Sequence, residues 1–195
     1  MNQAVLVRHG ETDWSAHGRH TSRTDLPLTP RGRDQAVAVG RCLAGRQFAR
    51  VLTSPRRRAL DTCMLAGFAA AAEVVDDLRE WDYGDYEGLT LAEVRERVPS
   101  WTVWDGPTPH GESAAEVSAR AESVLADLND VDGDVLVFGH GHLLRALASR
   151  WIGLSAADGR RFRLDTGTLS TIGYERGTPV LLSWNAACSP VHERR

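Results

Sequence analysis

Short apolar runs of four or five residues alternate along this chain with longer stretches that begin on a helix-capping residue and repeat their apolar positions at helical spacing. Ala4-Val5-Leu6-Val7 reads as a buried strand that runs out into Arg8-His9-Gly10. Thr29 caps a helix with Pro30 in its first position, and that helix extends to about Ala44, before Gly45. Val51-Leu52-Thr53 is a second strand. Ser54-Pro55 repeats the cap-and-proline signal and predicts a helix through about Ala71, ahead of a third strand at Val74-Val75. Thr90 caps a short helix that ends before Pro99. Ser113 and Glu116 form a capping box for a helix that puts Val117, Ala121, Val124, Leu125 and Leu128 on one face. The run from Asp134 to Phe138 is another buried strand, leading through Gly139-His140-Gly141-His142 into a helix that ends near Trp151. Leu169 to Tyr174 and Val180 to Trp184 make a terminal strand pair that turns at Arg176-Gly177. Residues 11–28 are expected to form a long surface loop, residues 80–88 an ordered loop, and the chain from Cys188 onward a loose end.

This alternation predicts one domain, residues 1–195, of the α/β class: a three-layer α/β/α sandwich on a mainly parallel central sheet. Such sheets bind ligands at the carboxyl ends of their strands. Composition removes several alternatives. The net charge of −3 offers no surface for a polyanion, so nucleic acid is not an expected partner. The three cysteines, Cys42, Cys63 and Cys188, form no CxxC pair, which argues against a cysteine-built zinc site and against a disulfide framework. The apolar run near Met1 is too short for a signal peptide, and no stretch is long enough to span a bilayer. A cytoplasmic protein with no membrane partner is expected.

Two of the buried strands end in histidine beside glycine, at Arg8-His9-Gly10 and at Gly139-His140-Gly141. If those strands are parallel neighbours, both imidazoles sit at one edge of the sheet, and the glycines let a ligand approach the backbone. Arg56-Arg57-Arg58 falls where a helix starts, a poor place for cations unless an anion is held there. Acids are plentiful in Glu80-Trp-Asp-Tyr-Gly-Asp-Tyr-Glu-Gly88, and composition singles out none of them.

Taken in order, Leu6-Val-Arg-His-Gly-Glu-Thr-Asp-Trp14, Thr24-Asp-Leu-Pro-Leu-Thr29 with Gly32, Ser54-Pro with Arg58-Ala59 and Thr62, Glu80 ahead of Gly84 and Glu87-Gly88, Gly111-Glu-Ser113 and Gly139-His140-Gly141 resemble the signature of the histidine phosphatase superfamily, also called phosphoglycerate mutase-like. The pattern runs from Val5 to about Trp151. It is also similar to that of the mycobacterial broad-specificity acid phosphatases of this superfamily, above all over residues 80–90. The resemblance implies the phosphoglycerate mutase-like fold, a nucleophilic His9, phosphoryl-binding Arg8, Arg58 and His140, and Glu80 as the general acid. It implies no cofactor and no metal. Ser15, Thr21, Ser22, Tyr83 and Gly141 become candidates for contact with substrate, the first three from a loop expected to cover the pocket. Ser15 stands where many members carry asparagine.

On this reading a neutral imidazole attacks phosphorus, guanidinium groups and a cationic His140 hold the phosphoryl oxygens, and Glu80 protonates the leaving oxygen. Keeping Glu80 protonated implies an acidic optimum. The stretch from Arg97 to Gly111 is short and has no basic residue between Pro99 and His110, whereas dedicated mutases of the family carry a basic insertion there. A phosphatase with a partly aromatic mouth, from Trp101 and Trp104, and varied small-molecule phosphate esters as substrates is therefore expected. Phosphoglycerate mutase or sugar-bisphosphatase activity is the alternative. Two further alternatives are a metal-dependent hydrolase built on His140 and His142 and a non-catalytic phospho-ligand binder. His20 and His110 are candidates for the mouth, and a homodimer through an exposed strand edge stays open.

Overall fold

Strands covered by helices on both faces must be apolar on both faces, and two central strands meet that demand: β1 (Gln3–Arg8) and β4 (Val135–Gly139). In the computed structural model, which describes residues 1–188, Ala4, Leu6, Val135 and Val137 enter one core while Val5, Val7, Leu136 and Phe138 enter the other. With β2 (Arg50–Thr53), β3 (Ala72–Val74), β5 (Thr168–Glu175) and β6 (Thr178–Ala187) they form one six-stranded sheet, ordered β3-β2-β4-β1-β5-β6. The first four in that order are parallel, and β5 and β6 continue antiparallel. Helices α2 (Pro30–Cys42) and α3 (Arg57–Leu65) cover one face, and α5 (Ala114–Asn129) and α6 (Gly141–Trp151) the other, giving the expected three layers.

The register fixes what the carboxyl edge presents. Arg8 lies opposite Gly139, and Thr53 opposite Phe138, so the residues that follow β1, β2 and β4 emerge side by side. Among the described residues no helix is long and apolar enough to cross a membrane. The loose end expected from Cys188 falls, but for Cys188 itself, outside the described residues.

Three local expectations are corrected. Helix α3 starts at Arg57 with Arg56 in the cap position, and the Ser54 hydroxyl is shared between His140 at 2.7 Å and the Arg56 N–H at 3.3 Å. The Arg57 N–H donates instead to Asp25 Oδ1 at 2.8 Å. The same helix stops at Leu65 rather than Ala71, where Gly67 adopts a left-handed φ of 91° and turns the chain; residues 69–71 form a 3-10 turn and β3 begins at Ala72. The loop over residues 11–28 contains a short helix, α1 (Asp13–Ala16), closed by reciprocal capping between Thr12 and Ser15. A short α4 (Leu91–Arg97) follows Thr90 as expected, capped by Thr90 and Glu93.

Where β1 leaves the sheet it packs directly on the first turn of α2. A methyl group on Gly10 would strike the Gly32 carbonyl, and one on Gly32 would strike the backbone of Glu11. Neither obstacle is a movable side-chain tip. Gly32→Ala should therefore lose about 1–3 kcal/mol through overpacking, against the gain of about 1 kcal/mol that helix propensity alone gives. Urea unfolding measures the sign; a more stable alanine variant would mean that the two backbones are not in contact.

Candidate active site

His9 and His140 leave adjacent parallel strands. The His9 N–H donates to the Gly139 carbonyl at 3.0 Å, and the two rings lie 5.2 Å apart between centroids. The Gly10 N–H donates to Thr62 Oγ1 at 2.9 Å, which fixes the peptide beyond His9. His9 Nδ1–H donates to the Gly10 carbonyl at 2.7 Å. That acceptor selects the tautomer and leaves Nε2 with a free lone pair. Burial first, then the charges of Arg58 and Arg8, hold this imidazole well below its ordinary pKa, so the ring is neutral.

His140 is neutral too, which corrects the expectation of a cation. Its Nδ1 accepts from Arg58 Nε at 3.2 Å, so the proton resides on Nε2, which donates to Ser54 Oγ. Burial, Arg58 and His9 all disfavour a second proton. Arg58 is fully buried. It donates to the carbonyls of Thr24 at 3.2 Å, Thr21 at 3.0 Å and Ser22 at 3.2 Å. Of the five guanidinium N–H groups, one remains uncommitted.

Arg8 is differently placed. One terminal nitrogen donates to the Leu164 carbonyl, while Nε is buried with no partner among the described residues. An orphaned guanidinium N–H is costly to bury, and it is what a phosphoryl oxygen would satisfy. Gly141 lies against the flat face of this group: a methyl there would sit 3.3 Å from Arg8 Cζ.

Glu80 is 5% exposed, and its carboxyl closes the N-terminus of α6. Oε1 accepts from the N–H groups of Trp81 and Leu143, both at 2.9 Å, and Oε2 from His142 N–H at 3.1 Å. Oε2, with one donor, is the oxygen that keeps room for a proton. The loop holding Glu80 is itself anchored. Glu112 accepts from Asp82 N–H at 2.9 Å and pairs with Arg120 through two contacts of 2.7 and 2.6 Å.

These groups surround a cavity of about 160 Å³. Of the candidates read from sequence, Arg8, His9, Glu80, Tyr83 and Gly141 line it, as do Ser15 and Thr21. The hydroxyl protons of Ser15 and Thr21 go to the carbonyls of Thr12 and Arg19 at 3.0 Å each. Ser22 does not reach the wall: its hydroxyl donates to the Glu80 carbonyl at 3.3 Å, and its N–H to the Glu87 carboxylate at 2.9 Å. Arg58 and His140 lie behind the wall.

The aromatic mouth is not there. Trp101 and Trp104 are buried behind the polar wall, against His20 at 5.3 Å and His142 at 5.1 Å. His20 and His142 form the wall itself, both with pKa values lowered chiefly by burial. His110 is exposed and pairs with Asp85. Sequence reading missed Arg19 and Arg145 as wall residues. A helix beginning on Gly141 presents residue 145 one turn later on the same side, which is the signal that would have found it. His140 and His142 do not converge as a metal pair would: Nδ1 of His142 meets the Tyr83 hydroxyl at 2.6 Å while both nitrogens of His140 are spent on Arg58 and Ser54.

Comparison with known proteins agrees with this geometry. The family model described as histidine phosphatase superfamily (branch 1) matches residues 4–187. An acid phosphatase from Mycobacterium tuberculosis is 46% identical over 184 residues, 92% of this chain and 90% of that protein. A sedoheptulose 1,7-bisphosphatase from Saccharomyces cerevisiae is 35% identical over 78% of this chain and 68% of its own length. A solved structure of a Mycobacterium tuberculosis open reading frame product superimposes with a TM-score of 0.92 at 42% identity, covering 96% of this chain and 99% of that one.

If the cavity is an anion site centred on Arg8, Gly141→Ala should displace that guanidinium and weaken inorganic phosphate about tenfold, a loss of about 1.4 kcal/mol. Titration calorimetry reads it; an unchanged Kd would take Arg8 out of the anion site.

Proposed function

This chain belongs to branch 1 of the histidine phosphatase superfamily, and from that premise we propose that it hydrolyses small-molecule phosphate monoesters through a phosphohistidine on His9, best in mildly acidic solution. The family works without a metal ion. The observation that carries the reading is the neutral His9, its Nδ1–H held by a carbonyl and its Nε2 open, beside an Arg8 with an unpartnered Nε and a Glu80 with one lightly bonded oxygen.

In the first step the Nε2 lone pair of His9 attacks phosphorus, and the bond from phosphorus to the ester oxygen breaks. The proton of Glu80 passes to that oxygen as it leaves. The Gly10 carbonyl holds the Nδ1 proton while positive charge develops on the ring. In the second step water gives a proton back to Glu80 and its oxygen displaces Nε2 from phosphorus, releasing phosphate and restoring both residues. Arg8 takes a phosphoryl oxygen on its free Nε. Arg58, buried behind the wall, adds its charge to that of Arg8. His140 acts as a neutral partner that orients Arg58.

The acid optimum follows from the ring that attacks. An ordinary imidazole, with a pKa near 6.5, is lost as a nucleophile in mild acid by protonation. Burial and the charges of Arg58 and Arg8 lower the pKa of His9, so it stays an unprotonated nucleophile below that point. The kcat/KM for phenyl phosphate should hold or rise from pH 7 to pH 5; an acid limb with an apparent pKa at or above the ordinary imidazole value would contradict a buried neutral nucleophile.

The covalent step has its own test. Rapid quench with a 32P-labelled ester should trap an acid-labile, base-stable phosphoenzyme that His9→Ala lacks. Turnover without such a species would remove His9 as nucleophile, and no turnover of any ester would favour a phospho-ligand binder. Glu80→Gln should lower kcat by about 10²–10⁴-fold, the usual span of general acid catalysis, for alkyl esters and far less for nitrophenyl phosphate, whose leaving group needs no proton. Equal losses on both would assign Glu80 to holding α6 rather than to proton transfer.

A further inference from the structure

Two of the three thiols lie together at a seam outside the cavity. Cys42 is the exposed last residue of α2, and Cys188 is the half-buried residue that follows β6. Cys188 packs against the core that holds Val39 and Leu43, and it lies in a groove with Asp34, Val37, Ala38 and Arg41 of α2. Cys42 follows Ala38 by one helical turn on the same side, so the end of β6 brings the second thiol to the first. Both are free. The Cys42 thiol acts directly on its neighbour: burial first, and then Cys42, push the Cys188 thiol up to about 12. Cys63 is elsewhere. It is buried on α3 beside Ala72 and Val74 of β3, at the opposite edge of the sheet from β6.

This seam joins the two elements that hold the exit of β1. From α2, Gln35 Oε1 accepts from the Glu11 N–H at 2.8 Å, and its Nε2 donates to Thr166 Oγ1 at 3.2 Å. From the head of β5, the Gly167 N–H donates to the carbonyls of Arg8 at 3.1 Å and His9 at 3.2 Å. The end of β6 backs that segment: Asn185 Oδ1 accepts from the Asp165 N–H at 2.8 Å, and Ala187 lies opposite Thr168. Yet this is the weak end of an edge strand. Beyond the irregularity at Thr171 only Leu169 and Thr168 pair with it, and Asn185 is bent to a left-handed φ of 54°. Short outer pairings open most readily, and a covalent tie to α2 from the residue beyond this strand would close them.

We propose that Cys42 and Cys188 are a reversible disulfide site, closed by a small-molecule disulfide of the glutathione type, and that the bond staples the end of β6 to α2. The exposed Cys42 thiolate attacks one sulfur of the oxidant and expels the other as a thiolate, which takes up a proton. Cys188 then loses its proton, attacks the Cys42 sulfur of the mixed disulfide and expels the second thiol. Two protein thiols become one disulfide, and one oxidant disulfide becomes two thiols. Capping Cys42 removes the neighbouring thiol that helps to keep Cys188 protonated, so the first step eases the second. The closed loop spans most of the chain, the case in which a cross-link restrains the unfolded state most, and neither cysteine lines the cavity. In reducing surroundings the bond reopens.

Incubation of the full chain with oxidised glutathione, followed by thiol mapping, tests it. Trypsin leaves the three cysteines in separate peptides, so mass spectrometry after alkylation in denaturant identifies which pair is joined. The wild-type protein should lose two of its three alkylatable thiols, yield a peptide pair linked through Cys42 and Cys188, and gain about 5 °C or more in Tm. Dithiothreitol should reverse all three changes. Cys42→Ser and Cys188→Ser should each match the reduced wild type in Tm within about 2 °C, and neither should gain on oxidation. Should a variant fail to fold, the comparison of oxidised with reduced wild type alone decides the matter. An oxidation that stops at a glutathione adduct on Cys42, that joins either residue to Cys63 or one chain to another, or that leaves all three thiols free overturns the site. A link between Cys42 and Cys188 with no gain in Tm overturns the staple.

Discussion

The parallel pairing of β1 with β4 sets the position of everything at the carboxyl edge. Because both strands are buried on both faces, slipping one past the other by a single residue would send Ala4 and Leu6 into the core now filled by Val5 and Val7. The register of Arg8 opposite Gly139 is thus enforced by two hydrophobic cores, well away from any chemistry. The separation of the His9 and His140 rings is inherited from that packing. β2 enters the same frame through Thr53 opposite Phe138, which is why the Ser54 hydroxyl falls within reach of His140.

Gathering two guanidinium groups and two imidazoles in a buried space is costly, since each polar group needs partners that water no longer supplies. The backbone supplies most of them. Arg58 ties down the carbonyls of residues 21, 22 and 24, and Glu87 takes the N–H groups of Ser22 and Thr24. The loop over the pocket has no core of its own, so its shape depends on these polar ties. Glu80 likewise gives α6 the N-terminal acceptor that His140, its capping residue, does not. Several groups placed for chemistry are therefore also structural ties, and removing one both changes charge and releases a segment. Arg8 Nε is the exception. Leaving it unpaired costs about 1–3 kcal/mol in a buried setting, and that cost is concentrated where the proposed mechanism places the phosphoryl group.

How far the sequence could be read follows from the range of the interactions involved. The strands, their order of appearance and the two histidines at strand ends are local patterns, and the family resemblance carried His9, Arg8, Arg58, Glu80 and His140 by position. Helix α3 starts later than local rules assign because the Arg57 N–H is taken by a distant carboxylate, Asp25, while the Ser54 hydroxyl serves both the Arg56 N–H and the distant ring of His140. Trp101 and Trp104 were placed at the mouth because aromatic residues in a short loop invite that reading, yet the loop folds back and buries them behind His20 and His142. Arg145 was passed over because its place depends on which face of α6 looks into the cavity, which is not visible along the chain. Ser22 shows the converse: its position in the covering loop suggested substrate contact, while its bonds run to Glu80 and Glu87.

The choice of acceptor for His9 joins these points. An imidazole that must act as a nucleophile in mild acid needs to be oriented without being made basic. A carboxylate at Nδ1 would orient it and stabilise the imidazolium, closing the lone pair on Nε2. The Gly10 carbonyl orients it with a dipole and no net charge, and Arg8 and Arg58 press in the opposite direction, against protonation. On the proposed mechanism the same two charges draw in the phosphoryl group. In that mechanism a phosphoryl oxygen against Arg8 would partly cancel the positive field at His9 and make the ring a better nucleophile as it attacks. Ground-state protection from acid and activation by the arriving anion thus come from one pair of side chains, which is possible only because their charges sit in a buried, weakly screened space.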